Sequence, residues 1–146
     1  MKEQYKIKDQ KVAEVMSASI ISLNPKEPIS RAVEIFNEYN IHHIPIVIVN
    51  EVVGIISQGD VLNFCGKENR LDQVKSFVLG NVKLDDNSTI EEIMTQNPIT
   101  ISPEDSIGKM VEKLLMYRIN ALPVTVDNKL KGIITTHDIL RLINNQ

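Results

Sequence analysis

The chain has no Trp, one Cys, three Tyr and three Phe among its 146 residues. So few aromatics leave no stacking platform for single-stranded nucleic acid. Positive charge is short as well: 16 Lys and Arg stand against 19 Asp and Glu, a net charge of -3. A basic face for phosphate backbones is therefore not expected. The lone Cys65 has no partner for an intrachain disulfide, which fits a reducing cytoplasm. The six glycines are scattered, and none forms a Walker-type phosphate loop. The longest apolar run, Ile44 to Val49, has the length of a strand and not of a membrane span. Met1 to Lys6 lacks the apolar stretch of an export signal. The expectation is a cytoplasmic protein with no membrane and no nucleic-acid partner.

What is present is a repeat. Residues 12–66 slide by 78 positions onto 90–144 without a gap. Glu14, Met16, Ile21, Pro25, Ile29, Val33, Pro45, Gly54, Ile55, Ile56, Asp60 and Leu62 each meet an identical residue. A fixed-period repeat means one supersecondary unit used twice. The organisation expected is 1–66 as the first motif with an N-terminal segment, 67–89 as a connection, and 90–146 as the second motif. A unit of about 55 residues buries too little surface to be stable alone, so the copies are expected to pack about an approximate two-fold, with clefts between them for a small ligand.

Each copy carries the same signals in the same order. Lys11 to Met16 and Ser88 to Met94 read as short helical turns. A brief apolar segment follows, at Ile20 to Leu23 and Ile99 to Ile101, and reads as the first strand of each copy. Ile29, Ala32, Val33 and Phe36 form one helical stripe, matched by Ile107, Met110, Val111, Leu114 and Leu115. Pro28 suits a first helical turn, Asp105 or Ser106 a cap, and Asn40 a left-handed stop. Two β-branched runs then read as a hairpin, turning at Asn50-Glu51 in one copy and Asp127 to Lys129 in the other. A second helix runs from Asp60 or Asp138 onward. In the connection, Leu71, Val74 and Val78 have helical spacing, with Gly80-Asn81 as a stop. The fold class expected is α/β, each motif a small sheet with flanking helices.

Two constellations can carry chemistry. Ser57-x-x-Asp60 and Thr135-x-x-Asp138 stand where a strand turns into a helix. One reading is a capping box, each side chain satisfying an orphan N–H. The other uses the same geometry for a ligand: helix N-terminal N–H groups attract phosphate, and a carboxylate accepts from ribose hydroxyls. The His42-His43 pair reads as a plain start of a strand, one side chain partly buried and one exposed. Adjacent strand residues face opposite ways, so they chelate a metal poorly, and Cys65 and His137 lack metal-ligand spacing to them. No metal site is expected. No nucleophile–base–acid set suggests an enzyme.

Val15-Met16, Ile41 to Pro45 and Gly54 to Leu62, with their counterparts Ile93-Met94, Ile119 to Pro123 and Gly132 to Leu140, resemble the CBS domain family. The arrangement is similar to a stand-alone tandem pair, the Bateman module. The resemblance covers nearly the whole chain. It implies two motifs related by a pseudo-two-fold, two clefts, and commonly a homodimer. It implies AMP, ADP, ATP or S-adenosylmethionine as a regulatory ligand, with no cofactor required and no catalysis in the pair itself. It places Ser/Thr at phosphate and Asp at ribose. His or Arg at the position of His42 and His43 faces phosphates in nucleotide-binding members, whereas copy two has Asn120-Ala121. The expected ligand set is Ser57, Asp60, His42, His43, Ile21, Ile99, Asn120, Ala121, Thr135 and Asp138. The cleft with Ser57, Asp60 and the two histidines is expected to be the better phosphate site, with Ala121 and the backbone near Ile99 lining its adenine pocket. The alternative function is a ligand-free dimeric scaffold or a module that docks an unidentified protein target.

Overall fold

The lead turn of each repeat is built into the core of the other. In the computed structural model, which describes residues 2–67 and 87–145, two compact units emerge. One, the repeat-two unit, takes in residues 2–20, 50–52 and 98–145; the other, the repeat-one unit, takes in 21–49, 53–67 and 87–97. The elements in chain order are α1 (Lys2–Asp9), α2 (Val12–Val15), α3 (Ile29–Tyr39), β1 (His43–Ile48), β2 (Glu51–Ser57), α4 (Gln58–Lys67), a 3-10 turn (Ile90–Glu92), β3 (Thr95–Gln96), α5 (Ile107–Tyr117), β4 (Ala121–Val126), β5 (Lys129–Thr135) and α6 (Thr136–Asn144). The helical spacing at Leu71, Val74 and Val78, and the stop at Gly80-Asn81, lie outside the described residues.

In the repeat-one unit, β1 lies beside β2, and β3 adds to β2 antiparallel, with Gly54 opposite Gln96. Helix α3 buries Ile29, Ala32, Val33, Ile35 and Phe36. They join Leu23, Ile44, Ile46, Ile56, Val61, Cys65 and Ile90 in one core. The stripe predicted from spacing is therefore the core face. Pro28 stands one residue outside α3, as its N-cap, and Asn40 ends the helix at φ 51, ψ 42. Asn takes this left-handed conformation at low cost. Ile90 arrives from the second repeat: its N–H donates to Glu27 O at 2.9 Å, and the Glu91 N–H to Pro25 O at 3.0 Å.

The repeat-two unit repeats this arrangement. Strand β4 pairs antiparallel with β5, and Ala121 stands opposite Thr135. Val12, brought by α2, is buried with Ile101, Ile107, Met110, Leu114, Leu122, Val124 and Ile134. Its N–H donates to Asp105 O at 2.8 Å, and the Ala13 N–H to Pro103 O at 3.0 Å, the same bonds 78 residues on. Met16 and Ser17 then lie across Gly132, where a Cβ would come within 2.8 Å of Ser17 O. Gly132 is needed for this close approach.

Three expectations need correction. Leu115 is 75% exposed and Met116 74%, so the α5 stripe ends at Leu114. The repeat-one hairpin turns at Val49-Asn50, one residue earlier than expected, with φ of 48° and 65°. That is the primed turn favoured by strand twist, and Asp127-Asn128 form it in the other copy with φ of 51° and 64°. Helices α4 and α6 begin before Asp60 and Asp138, at Gln58 and Thr136. Each Asp thus sits in the first turn as a capping partner. Ser106, and not Asp105, caps α5, accepting from the Lys109 N–H at 3.1 Å.

Candidate functional site

The repeat-one unit brings Ser57, Asp60, His42 and His43 to one end of its sheet. The end of β2 runs straight into α4, while β1 begins at His43. The Gln58 N–H donates to His42 O at 3.1 Å and ties the two together. Ser57 and Asp60 form the reciprocal pair that their spacing predicts. The Ser57 N–H donates to Asp60 Oδ2 at 2.7 Å, and the Asp60 N–H to Ser57 Oγ at 3.1 Å. Both residues are half-buried. Capping uses one carboxylate oxygen. Among the described residues, Asp60 Oδ1 has no hydrogen-bond partner and can receive a ligand hydroxyl.

The histidines differ in burial: His42, in the bend just before β1, is exposed, and His43, the first residue of β1, is half-buried. Burial holds the His43 imidazole below its ordinary value, neighbouring His42 lowers it further, and Asp60 works against both. His43 is thus a neutral group that an incoming anion can charge. Ile21 packs partly against the same core. It precedes Leu23, which bridges Ile46 in parallel. Among the described residues, no backbone hydrogen bond occupies the Ile21 N–H or carbonyl.

The repeat-two unit gathers Thr135, Asp138, Asn120, Ala121 and Ile99. The Thr136 N–H donates to Asn120 O at 2.9 Å, the counterpart of the Gln58 bond. The Thr135 N–H donates to Asp138 Oδ2 at 2.8 Å, and the Asp138 N–H to Thr135 Oγ1 at 3.4 Å. Here the second carboxylate oxygen is not left alone, because Arg141 stands 3.8 Å from Asp138 Oδ1. Asn120 is exposed and Ala121 buried, so no titratable side chain replaces the histidines. Ile99 packs partly on the core, and its backbone, like that of Ile21, is unpaired among the described residues. Beyond it, Lys113 Nζ donates to Thr100 O at 2.7 Å.

Two residues of this neighbourhood, Arg141 and Lys113, are not among those singled out from sequence. The repeat offset exposes both: Arg141 falls on Asn63, and Lys113 on buried Ile35. Arg118 ends α5 in the left-handed region at φ 53 and is exposed. Among the described residues, no group of three or more His, Cys, Asp or Glu is placed to hold a metal ion. No described helix is long and apolar enough to cross a membrane.

Comparison with known proteins gives a consistent answer. The family model of the CBS domain matches residues 12–67 and 90–145. The CBS domain pair of protein MJ0100, solved in complex with 5′-methylthioadenosine and S-adenosyl-L-methionine, superposes with a TM-score of 0.74 at 29% identity, over 94% of this chain and 98% of that one. Protein MJ1225 from Methanocaldococcus jannaschii superposes with a TM-score of 0.77 at 28% identity, over 95% of this chain and 50% of that one. The L-aspartate semialdehyde sulfurtransferase of the same organism is 29% identical over 137 residues, which is 92% of this chain and 23% of that protein. The chain spans under half the length of the curated relatives it matches.

Proposed function

The chain belongs to the CBS domain family, and on that premise we propose that it is a regulatory module binding an adenine nucleotide or adenosyl compound, without catalysis of its own. The candidates are AMP, ADP, ATP and S-adenosylmethionine. One observation carries the reading. In each repeat a half-buried Asp closes the first turn of a helix beside the start of a strand, with only one oxygen needed for the cap. That leaves an acceptor for ribose hydroxyls and puts helix N–H groups where phosphate is favoured. The MJ0100 domain pair, 29% identical, holds two adenosyl ligands, which supports this ligand class.

The two half-sites then differ in the charge they favour. Ser57, Asp60, His42, His43 and Ile21 form the one suited to phosphate, because His43 gains a proton when an anion arrives. Thr135, Asp138, Asn120, Ala121 and Ile99 have no such imidazole, and Arg141 competes for Asp138. Ile99 and Ala121 offer backbone and apolar surface to a base. Ligand binding would shift the population of conformations that a protein target reads.

Calorimetric titration with AMP, ADP, ATP and S-adenosylmethionine tests the proposal, beside Asp60→Ala and Asp138→Ala. The expected result is saturable binding, with the phosphate ligand lost in Asp60→Ala. Folded wild-type protein that takes up none of the four would sink it.

The alternative, a dimeric scaffold or protein-docking module, is favoured by one observation. Helix α6 buries none of its residues, and Leu140 and Ile143 are exposed on it. Sedimentation of the ligand-free protein checks this: a monomer at all concentrations removes the homodimer.

A further inference from the structure

The repeats differ at a position that no ligand reading uses. In α3, Ile35 is 2% exposed and belongs to the apolar core. Seventy-eight residues on, in α5, stands Lys113. Its ammonium does not reach for open solvent. It turns back to the segment before Ile101 and donates to Thr100 O at 2.7 Å, in a half-buried setting. The Lys113 charge, with that of Lys109, is among those that hold the Asp105 carboxyl down. A charge-assisted bond to a carbonyl is stronger than a neutral one.

The carbonyl it holds belongs to the residue after Ile99. Ile101 is fixed from the other side: its N–H donates to Pro123 O at 3.1 Å, and its carbonyl accepts from Thr125 at 2.9 Å. The Thr100–Ile101 peptide is therefore held at both its carbonyl and its N–H, and the next one at the Ile101 carbonyl, while the Ile99 carbonyl, in the peptide just before them, and the Ile99 N–H stay unpaired among the described residues. The N–H and carbonyl of one residue, next to a held peptide, offer a donor and an acceptor that can read a base edge. Adenine offers an N1 acceptor and an N6 amino donor. Hypoxanthine offers the reverse, an N1–H donor and an O6 acceptor. In the first repeat Ser22 is the counterpart of Thr100, and Ile35 has no donor to hold it.

We infer that Lys113 is a positioning residue for base recognition: by fixing the Thr100 carbonyl it preorganises the Ile99 backbone to select adenine over hypoxanthine. This rests on the adenosyl-binding reading. Preorganisation raises affinity by removing conformations that would otherwise be lost on binding. The tether is present in the second repeat and absent in the first, so base selectivity is expected to be graded between the two segments.

The test is calorimetric titration of wild type, Lys113→Met and Lys113→Arg with AMP and with IMP. The two nucleotides carry the same phosphate, so their affinity ratio cancels any loss of positive charge. The methionine keeps helix propensity and apolar length, and a thermal melt confirms folding. The expected result is a preference for AMP over IMP in wild type that falls roughly tenfold in Lys113→Met, the scale of one hydrogen bond to a charged group. Lys113→Arg, which keeps a donor, should retain most of it. A purely structural role would weaken AMP and IMP equally and leave the ratio unchanged, and that result overturns the inference while the ligand class stands. Wild type that binds neither nucleotide overturns both.

Discussion

Val49 sits at φ 48 and is 84% exposed, at the first corner of a primed hairpin turn. A β-branched residue is strained there, and the other repeat uses Asp127 at that corner. Val49→Asn should raise stability by about 1 kcal/mol, or roughly 3 °C in Tm by calorimetry. At Gly132 the sign reverses. A Cβ would stand 2.8 Å from Ser17 O and 2.7 Å from Met16 Sδ, whereas at Gly54 the one contact below 3.0 Å is the Met94 thioether, at 2.5 Å. A backbone carbonyl cannot step aside as a thioether can. Gly132→Ala should therefore cost about 1–3 kcal/mol, and Gly54→Ala less; urea titrations of both variants compare them. His43 makes a pH prediction. Its folded value lies below the ordinary 6.5, so the unfolded chain binds the proton more readily. Its contribution to stability is full above 6.5 and is lost as pH falls toward the folded value. Binding of a phosphate ligand should run the other way, strengthening as pH falls below 6.5 with uptake of a proton. Titration of AMP in buffers of different ionisation heat reads this directly. A flat affinity from pH 8 to 5.5 would remove His43 from the site.

At the scale of elements, the two Ser/Thr–Asp pairs are capping boxes as their spacing predicts, and capping does not displace the ligand reading. It spends one oxygen of Asp60 and leaves one. Ser57→Ala should cost about 1 kcal/mol of stability through the lost cap, measured by chemical denaturation. A second acid, Asp105, holds the loop before α5. Burial pushes its carboxyl up, but the Ser102 N–H, with Lys109 and Lys113, outweighs that, and the net direction is down from 3.8. A lowered carboxylate stabilises the fold above its unfolded value and stops doing so as pH falls through the folded one. The main helices and hairpins were legible because period-2 and period-3.6 patterns alternate along each repeat; α1 and β3 were not, and the segments at 20–23 and 99–101, expected as strands, make only single bridges at Leu23 and Ile101. The helix starts were displaced by two residues because the capping residue, and not the acid that answers it, marks the boundary. Spacing puts Leu115 on the apolar face of α5, yet it is exposed, because spacing locates a face without saying where the neighbouring surface ends.

At the scale of the whole chain, the repeats of the sequence and the units of the structure do not share boundaries. Val12 belongs by sequence to the first repeat and by packing to the core around Ile101 and Ile107, while Ile90 makes the opposite crossing. Val12→Ala should therefore loosen residues 98–145 more than residues 21–49. Hydrogen exchange by mass spectrometry would show it as faster exchange in the strands of the second repeat, and equal or greater loss in the first would contradict the exchange of leads. The sequence by itself determined the repeat, the main helices and hairpins, the family and the residue types of the candidate site, because each is encoded in local patterns of chain. Only the tertiary structure decided which lead turn completes which core, that Asp60 keeps an oxygen free while Arg141 stands at Asp138, and that Lys113 turns back onto Thr100. The exchange of lead turns depends on contacts between residues far apart in sequence, such as Val12 with Asp105, and a repeat shows that two such partners are equivalent without showing which of them meet; the others are shorter in range but turn on side-chain directions that spacing alone does not give.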